Sequence, residues 1–233
     1  MKIIHCISIA FIFLTSLSAQ ATLITNGSFE QTNFADDQLS IGEIFSTELS
    51  AFERKKRGWD VFEALPGWRT TAGNGIELQK GVVTNSQHGS HHIELDSHQR
   101  GGSNSMMTQT IDSLIIGNEY LLEFFYKART NNKNDNGINV YWYDTPTAFD
   151  ASMEAMYIAD ATRRETPNWQ KQSVVFTATA SSMELSFASV GKQNTLGGLV
   201  DNVSLNQITQ VPEPSILVLL MLSLGLLVSR RKS

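Results

Sequence analysis

Between Thr22 and Asn206 no apolar stripe at helical period runs long enough for a bundle; short runs rich in β-branched and aromatic residues recur between Gly, Asn, Asp and Ser clusters. That pattern confines the body of the chain to an all-β fold. In Leu121 to Arg129 (LLEFFYKAR), alternation sets Leu122, Phe124 and Tyr126 on one face and Glu123, Phe125, Lys127 and Arg129 on the other, as expected of a strand with one buried and one partly wet face. The polar stretch Thr130 to Gly137 reads as a turn, and Ile138 to Tyr143 (INVYWY) returns as the next strand, so a hairpin is predicted. Further strands are predicted over Ser173 to Thr179 with Val174 and Phe176 inward, Met183 to Ser189 with Leu185 and Phe187 inward, and Leu199 to Leu205 with Val203 and Leu205 inward. Strands at intervals of about ten residues make a β-sandwich. One exception is predicted: Thr147 to Arg164 has Phe149, Met153, Met156 and Tyr157 spaced for one side of a short helix inserted between strands.

The two ends differ from this body. Lys2 precedes a largely apolar stretch from Ile3 to Leu17, and Ala19 and Ala21 supply the small residues a signal peptidase reads, so residues 1–21 are predicted to be a signal helix cleaved after Ala21. The single cysteine, Cys6, lies inside that segment. The exported chain would then contain no thiol, which excludes a disulfide framework and a cysteine metal site; roughly 190 remaining residues must be held by their own core. At the other end, Pro212, Glu213 and Pro214 precede an apolar run from Ile216 to Val228 and the basic cluster Arg230-Arg231-Lys232. The prolines keep the triplet extended, as a protease site requires. The apolar run predicts a transmembrane helix at about 215–229, with its basic tail on the cytoplasmic side. At ~1.5 Å per residue the run is shorter than a hydrocarbon core of ~30 Å and would need Ser215, Ser229 and snorkelling arginines to span it.

The order of triplet, apolar run and basic end resembles the PEP-CTERM sorting signal of bacteria that make exopolysaccharide. The resemblance implies recognition by a membrane-embedded exosortase, a membrane-tethered precursor, and a final location at the cell surface or in the extracellular matrix. Residues 209–233 are therefore assigned to sorting and 22–208 to a single domain. Net charge is −5, with 18 Lys and Arg against 23 Asp and Glu, and Lys2 and the three tail cations all lie in the two ends. The acidic body argues against a nucleic-acid partner.

Inside the domain, Asn26-Gly27-Ser28-Phe29-Glu30, Leu65-Pro66-Gly67-Trp68, Gly75 to Gln79, Ile93 to Ser97, the Tyr120 to Arg129 strand, Trp169 and Val200 to Leu205 occur in an order similar to the galactose-binding-domain-like jelly rolls, which include carbohydrate-binding modules. The resemblance implies a jelly-roll β-sandwich and a protein that binds extracellular polysaccharide. In similar modules an acidic residue of the first motif and one of the last share a structural calcium; Glu30 and Asp201 hold those positions, and hard oxygen ligands suit that ion.

A sugar site needs aromatic platforms on a wet sheet face with polar groups for the hydroxyls, and Trp68, Phe125, Arg129, Tyr141 and Tyr143 are the expected ligand-binding residues. Trp142 faces the other way with Val140, into the core, and a core plug after the Pro-Gly turn is the preferred reading of Trp68. The densest polar stretch, His88 to His98, reads either as a half-exposed polar strand with His92, Glu94 and Asp96 on one face or as a divalent-ion site. Glu77, Glu94, Asp96 and Glu123 are available to a hydrolase, but no GxSxG elbow, phosphate loop or GxGxxG motif singles out a catalyst. A non-catalytic protein is expected, with an adhesive matrix component or a secreted glycoside hydrolase as alternatives. The basic run Arg54 to Arg57 is expected to be an exposed loop.

Overall fold

A computed structural model describes residues 22–32, 58–98, 104–145, 147 and 149–208. The signal helix with Ala19 and Ala21, the basic run Arg54 to Arg57, and the tail with Pro212, Glu213, Pro214 and its transmembrane helix lie outside the described residues. Among those described, no helix is long and apolar enough to cross a membrane.

The domain is a sandwich of two six-stranded antiparallel sheets. Its strands are β1 (Trp59–Phe62), β2 (Ala64–Leu65), β3 (Trp68–Ala72), β4 (Ile76–Gln79), β5 (His92–Glu94), β6 (Met106–Ile111), β7 (Glu119–Lys127), β8 (Gly137–Asp144), β9 (Tyr157–Ala159), β10 (Gln170–Thr177), β11 (Met183–Val190) and β12 (Leu199–Gln207). The first sheet has the order β1-β4-β5-β12-β7-β10 and the second β2-β3-β6-β11-β8-β9. From β5 onward the chain changes sheet at almost every connection.

This crossing corrects the predicted hairpin. β7 pairs with β10 and β12 in the first sheet, while β8 pairs with β9 and β11 in the second. The intervening residues form a bridge between sheets, built on a single 3-10 turn, Lys133–Asp135, and on the buried Asn136 side chain. Asn136 Nδ2 donates to the carbonyls of Thr130, Asn132 and Ala161, while its Oδ1 accepts from the N–H groups of Arg129 and Thr130. A side chain that satisfies five backbone groups fixes a polar crossover without sheet pairing. The predicted short helix is also corrected. Its region contains turns and then β9, because Tyr157 and Ile158 pair with Val140 and Asn139 and complete the edge of the second sheet.

Alternation along the strands fills the space between the sheets. Leu122, Phe124 and Tyr126 of β7 meet Leu185 and Phe187 of β11 in one core cluster, with Phe124 and Phe187 edge to face at 5.1 Å. Truncating such a ring to alanine costs about 3–5 kcal/mol. Trp142 stacks on Phe176 at 5.6 Å, so it belongs to the core as its alternation with Tyr141 predicted. Phe29 drops into the same core after the Asn26-Gly27 turn. Gly27 is required there, because a Cβ would lie 1.9 Å from the Val203 carbonyl oxygen. That contact, with Val203 N–H donating to Gly27 and Leu23 N–H to Leu205, lays the start of the domain along its last strand.

Candidate functional site

Every second residue of a strand faces away from the core, and on the first sheet these outward residues include charged and amide groups. Cross-strand pairing lines up Val61, Glu77, Glu94, Leu199 and Lys127 in one row across β1, β4, β5, β12 and β7. The neighbouring row contains Trp59, Gln79 and His92, and on the far side Asp201, Phe125 and Lys171. Glu77, Gln79, His92 and Glu94 are nevertheless buried. The half-exposed strand read from His88 to His98 is thus corrected: β5 is covered on both faces.

Two loops provide the cover. The loop between β4 and β5 is tied down by Lys127 Nζ donating to Thr84 Oγ1 at 2.8 Å, by Trp169 Nε1 donating to the Asn85 carbonyl at 2.9 Å, and by Ser86 Oγ bonding His92 Nδ1 at 3.0 Å. The loop between β11 and β12 is held by Arg129 Nη1 donating to the Thr195 carbonyl and by the N–H groups of Asn194 and Leu196 donating to Asp96 Oδ2.

Beneath them the polar groups satisfy one another. Gln79 Nε2 bridges the paired acids, donating to Glu77 Oε1 and Glu94 Oε2, while Gln79 Oε1 lies 3.2 Å from His92 Nε2. Arg129 Nη1 lies 2.5 Å from both Glu94 oxygens, and Gly197 N–H donates to Glu94 Oε1 at 2.6 Å. Burial pushes the Glu94 carboxyl up to about 8, helped by the Glu77 charge, while the bonds from Arg129 and Gly197 pull it back. Burial, then the charges of His91, Lys127 and Arg129, hold His92 down at about 3, so it is a neutral imidazole at physiological pH. Aromatic rings mark both ends of this layer. Half-buried Trp59 lies 4.5 Å from the His98 ring, which also bonds Glu77; half-buried Trp169 stands edge-on to His92 at 5.6 Å.

The five expected ligand residues do not come together. Trp68 is a core residue, 2% exposed, packed on Phe29 and Phe187 with Nε1 donating to the Asn26 carbonyl; the Gly67 turn points it inward, which removes it from any ligand face. Phe125 and Arg129 lie on the outer face of the first sheet, both half-buried. Tyr141 and Tyr143 lie on the outer face of the second sheet, against Phe149 at 5.0 and 6.1 Å, because β8 pairs with β11 and not with β7. Residues that sequence reasoning did not assign to a ligand are Trp59, Gln79, His98 and Trp169. Trp59 and Gln79 are signalled only by the register of β1 and β4, which no local pattern reveals, whereas His98 closes the polar stretch from His88 and Trp169 stands in the motif series of the resemblance.

Glu30 and Asp201 do meet a common element. Glu30 Oε1 accepts the N–H groups of Ser90 and His91, and Asp201 Oδ2 accepts those of Gln87 and His88, so the two acids grip one loop from either side of Gly89. Burial raises Asp201 to about 7 against these bonds, with the Glu30 charge adding to the rise. A calcium shell takes about 6–8 oxygens. No group of three His, Cys, Asp or Glu side chains that would hold a metal gathers among the described residues, and the loop-facing carboxylate oxygens are occupied by backbone donors. The pair supplies at most four of those oxygens, and backbone carbonyls would complete such a shell.

Residues 22–206, nearly the whole sandwich, match the model of DUF642, described as a protein of unknown function. The chain belongs to the DUF642 family. Residues 210–232 match the PEP-CTERM protein-sorting motif, so this DUF642 domain carries the mark of export through a sorting system with a membrane-anchored precursor. Over 139 residues the chain is 27% identical to a multifunctional-autoprocessing repeats-in-toxin of Vibrio vulnificus and to one of Vibrio cholerae; it spans only 2% and 3% of the length of these curated relatives. Similar solved structures include TmCBM61 in complex with β-1,4-galactotriose, at 12% identity over 81% of this chain and 100% of that one, with a TM-score of 0.42. A CBM4 structure is 17% identical, covers 79% of this chain and 99% of its own, and has a TM-score of 0.39. The enzymatically active domain of bacteriophage CBA120 tailspike protein 4 is 16% identical over 80% of this chain and 21% of that one, with a TM-score of 0.42.

Proposed function

We propose that this exported DUF642 domain is a jelly roll that binds extracellular polysaccharide without cleaving it, on the outer face of the first sheet. The observation that carries the reading is the layer of planar hydrogen-bonding groups, Glu77, Gln79, Glu94 and Arg129, with Trp59 at one end and Trp169 at the other. Sugars are recognised by this pairing of chemistries, in which ring faces stack on aromatics and hydroxyls bond fixed carboxylates, amides and guanidinium groups. A non-catalytic role is favoured because Glu77 and Glu94 stand side by side on paired strands with Gln79 Nε2 bridging them, which leaves no room for a glycosidic bond between the two carboxyl groups. Loops that roof the layer would have to part for a chain to enter.

A glycan array with the exported chain tests the reading. Saturable binding that Trp169→Ala weakens about tenfold or more, with the melting transition retained, is expected; a blank array moves the protein to the class of adhesive matrix components. Release of reducing sugar that depends on Glu77 or Glu94 would make it a hydrolase.

A further inference from the structure

The sandwich has two ends, and the chain leaves it at one of them. β12 finishes beside the start of β7, with Gln207 paired to Tyr120 and Ile208 N–H donating to the Glu119 carbonyl. The β6–β7 turn stands at this same end. It is fastened to the sandwich by Ile115 N–H donating to the Tyr120 hydroxyl at 2.9 Å, by Leu114 N–H donating to Ser181 and by Gly117 N–H donating to Ala178. Leu114 points inward, yet Ile115 and Ile116 at the tip are 55% and 64% exposed, and Ile208 and Leu23 nearby are 38% and 39% exposed. Adjacent isoleucines held out at a turn tip by a backbone-fastened loop expose apolar surface that folding alone leaves uncovered.

The chain beyond Ile208 supplies the occupant. Six residues, Thr209 to Pro214, separate it from Ser215 and the apolar run of the sorting motif. A chain of that length reaches about 20 Å at full stretch, so an anchored precursor holds this end of the sandwich against the membrane surface.

We propose that in the anchored precursor the Ile115-Ile116 turn dips into the lipid interface, orienting the domain with its exit end down. Two isoleucines are a weak anchor for a free domain, but a short tether presents them at an effective concentration on the order of millimolar. Asp112 and Glu119 flank the turn, so the insertion is apolar and draws nothing from anionic headgroups. The orientation also turns the candidate sugar site outward. Arg129, Glu94 and the Asn194–Gly197 loop lie toward the opposite end, where β7 finishes and β12 begins. The proposal rests on the sorting motif and its apolar run and is independent of sugar binding.

Cys6 is the only cysteine and lies in the predicted signal segment, so the exported chain from Thr22 onward takes single labels and has the C-terminal apolar run as its anchor. An environment-sensitive fluorophore on Ile116→Cys is compared with one on Asn131→Cys, an exposed residue on the β7–β8 bridge at the opposite end, after reconstitution into phosphatidylcholine vesicles. Flotation with the vesicles reports the anchor separately. Expected are flotation of both proteins, a blue-shifted Ile116 label quenched several-fold more strongly by spin-labelled lipid than the Asn131 label, and slower hydrogen exchange at Ile115 to Asn118 in the unsubstituted chain than after cleavage of the tether. Flotation with equal quenching of the two labels overturns the membrane-facing turn alone. Failure of the exported chain to float overturns it together with the anchor.

Discussion

The outer faces of the two sheets solve the same problem by opposite means. On the first, Glu77, Gln79, His92 and Glu94 are buried under loops and must be matched by Arg129, Gly197, Ser86 and His98. On the second, hydroxyl groups satisfy one another: Thr71 bonds Thr108, Thr108 bonds Ser186, and Ser186 bonds Tyr143, with Arg69 and Glu184 paired at 2.8 Å beside them. Hydroxyls both donate and accept, so a row of them closes on itself wherever strands pair. Carboxylates only accept, and a buried pair of them, Glu77 beside Glu94, holds only if donors arrive from elsewhere in the chain. The first face is therefore the one whose architecture depends on loops and the one with fixed groups to offer a ligand.

The largest expected effect breaks that contrast directly. Arg129→Ala removes the donors to both Glu94 oxygens and is expected to cost about 2–3 kcal/mol in urea unfolding, with Glu94, already raised to about 8, keeping its proton in place of the cation. Ser186→Ala on the second face is expected to cost about 1 kcal/mol; equal losses would show that the two faces are energetically alike. Next in size is ligand affinity. Trp169→Ala is expected to weaken polysaccharide binding about tenfold or more, the loss of one aromatic contact of about 1.4 kcal/mol, whereas Tyr141→Ala with Tyr143→Ala leaves it unchanged. The reverse result would move the site to the second sheet.

Protons sharpen the comparison further. Glu94 and Asp201, raised from 4.5 to about 8 and from 3.8 to about 7, bind more protons folded than unfolded. Their contribution is full below their unfolded values and is lost as pH rises through 7 and 8. His92, lowered from 6.5 to about 3, acts in the opposite sense: its contribution is full above 6.5 and is lost as pH falls toward 3. The melting temperature is thus expected to fall on both sides of a mildly acidic optimum, with Glu94→Gln flattening the alkaline limb and His92→Gln the acid limb. A variant whose profile parallels that of the parent would remove these groups from the account. The smallest effect is expected from EDTA added to calcium-loaded protein. Backbone donors hold Glu30 and Asp201 on their loop, so the melting temperature should not move; a drop of several degrees would require an ion between them.

Much of the architecture was legible because a strand's two-residue period is local. Leu122, Phe124 and Tyr126 declare a buried face, and Phe29 follows a tight turn into the core, while Trp68, legible as a core plug and also as a ligand platform, was assigned to the core by its packing. The site was legible only in pieces. Alternation assigned Phe125, Arg129, Tyr141 and Tyr143 to outward faces, but nothing in a run of residues says that β7 and β8 enter different sheets, and so the four were read as one surface. His92 and Glu94 looked half-exposed because the covering loops arrive from Gly81 to His91 and from Gly191 to Gly198 in space, not in sequence.

By itself the sequence determined the all-strand body, the inward face of each main strand and the export motif, since periodicity, turn chemistry and a terminal signal are written in neighbouring residues. Only the tertiary structure decided which strands share a sheet, which outward residues are roofed over, and that Glu77, Gln79, Glu94 and Arg129 form one network. Those outcomes depend on contacts between residues far apart in the chain, and a repeat of two fixes a side chain's face without fixing what comes to lie against it.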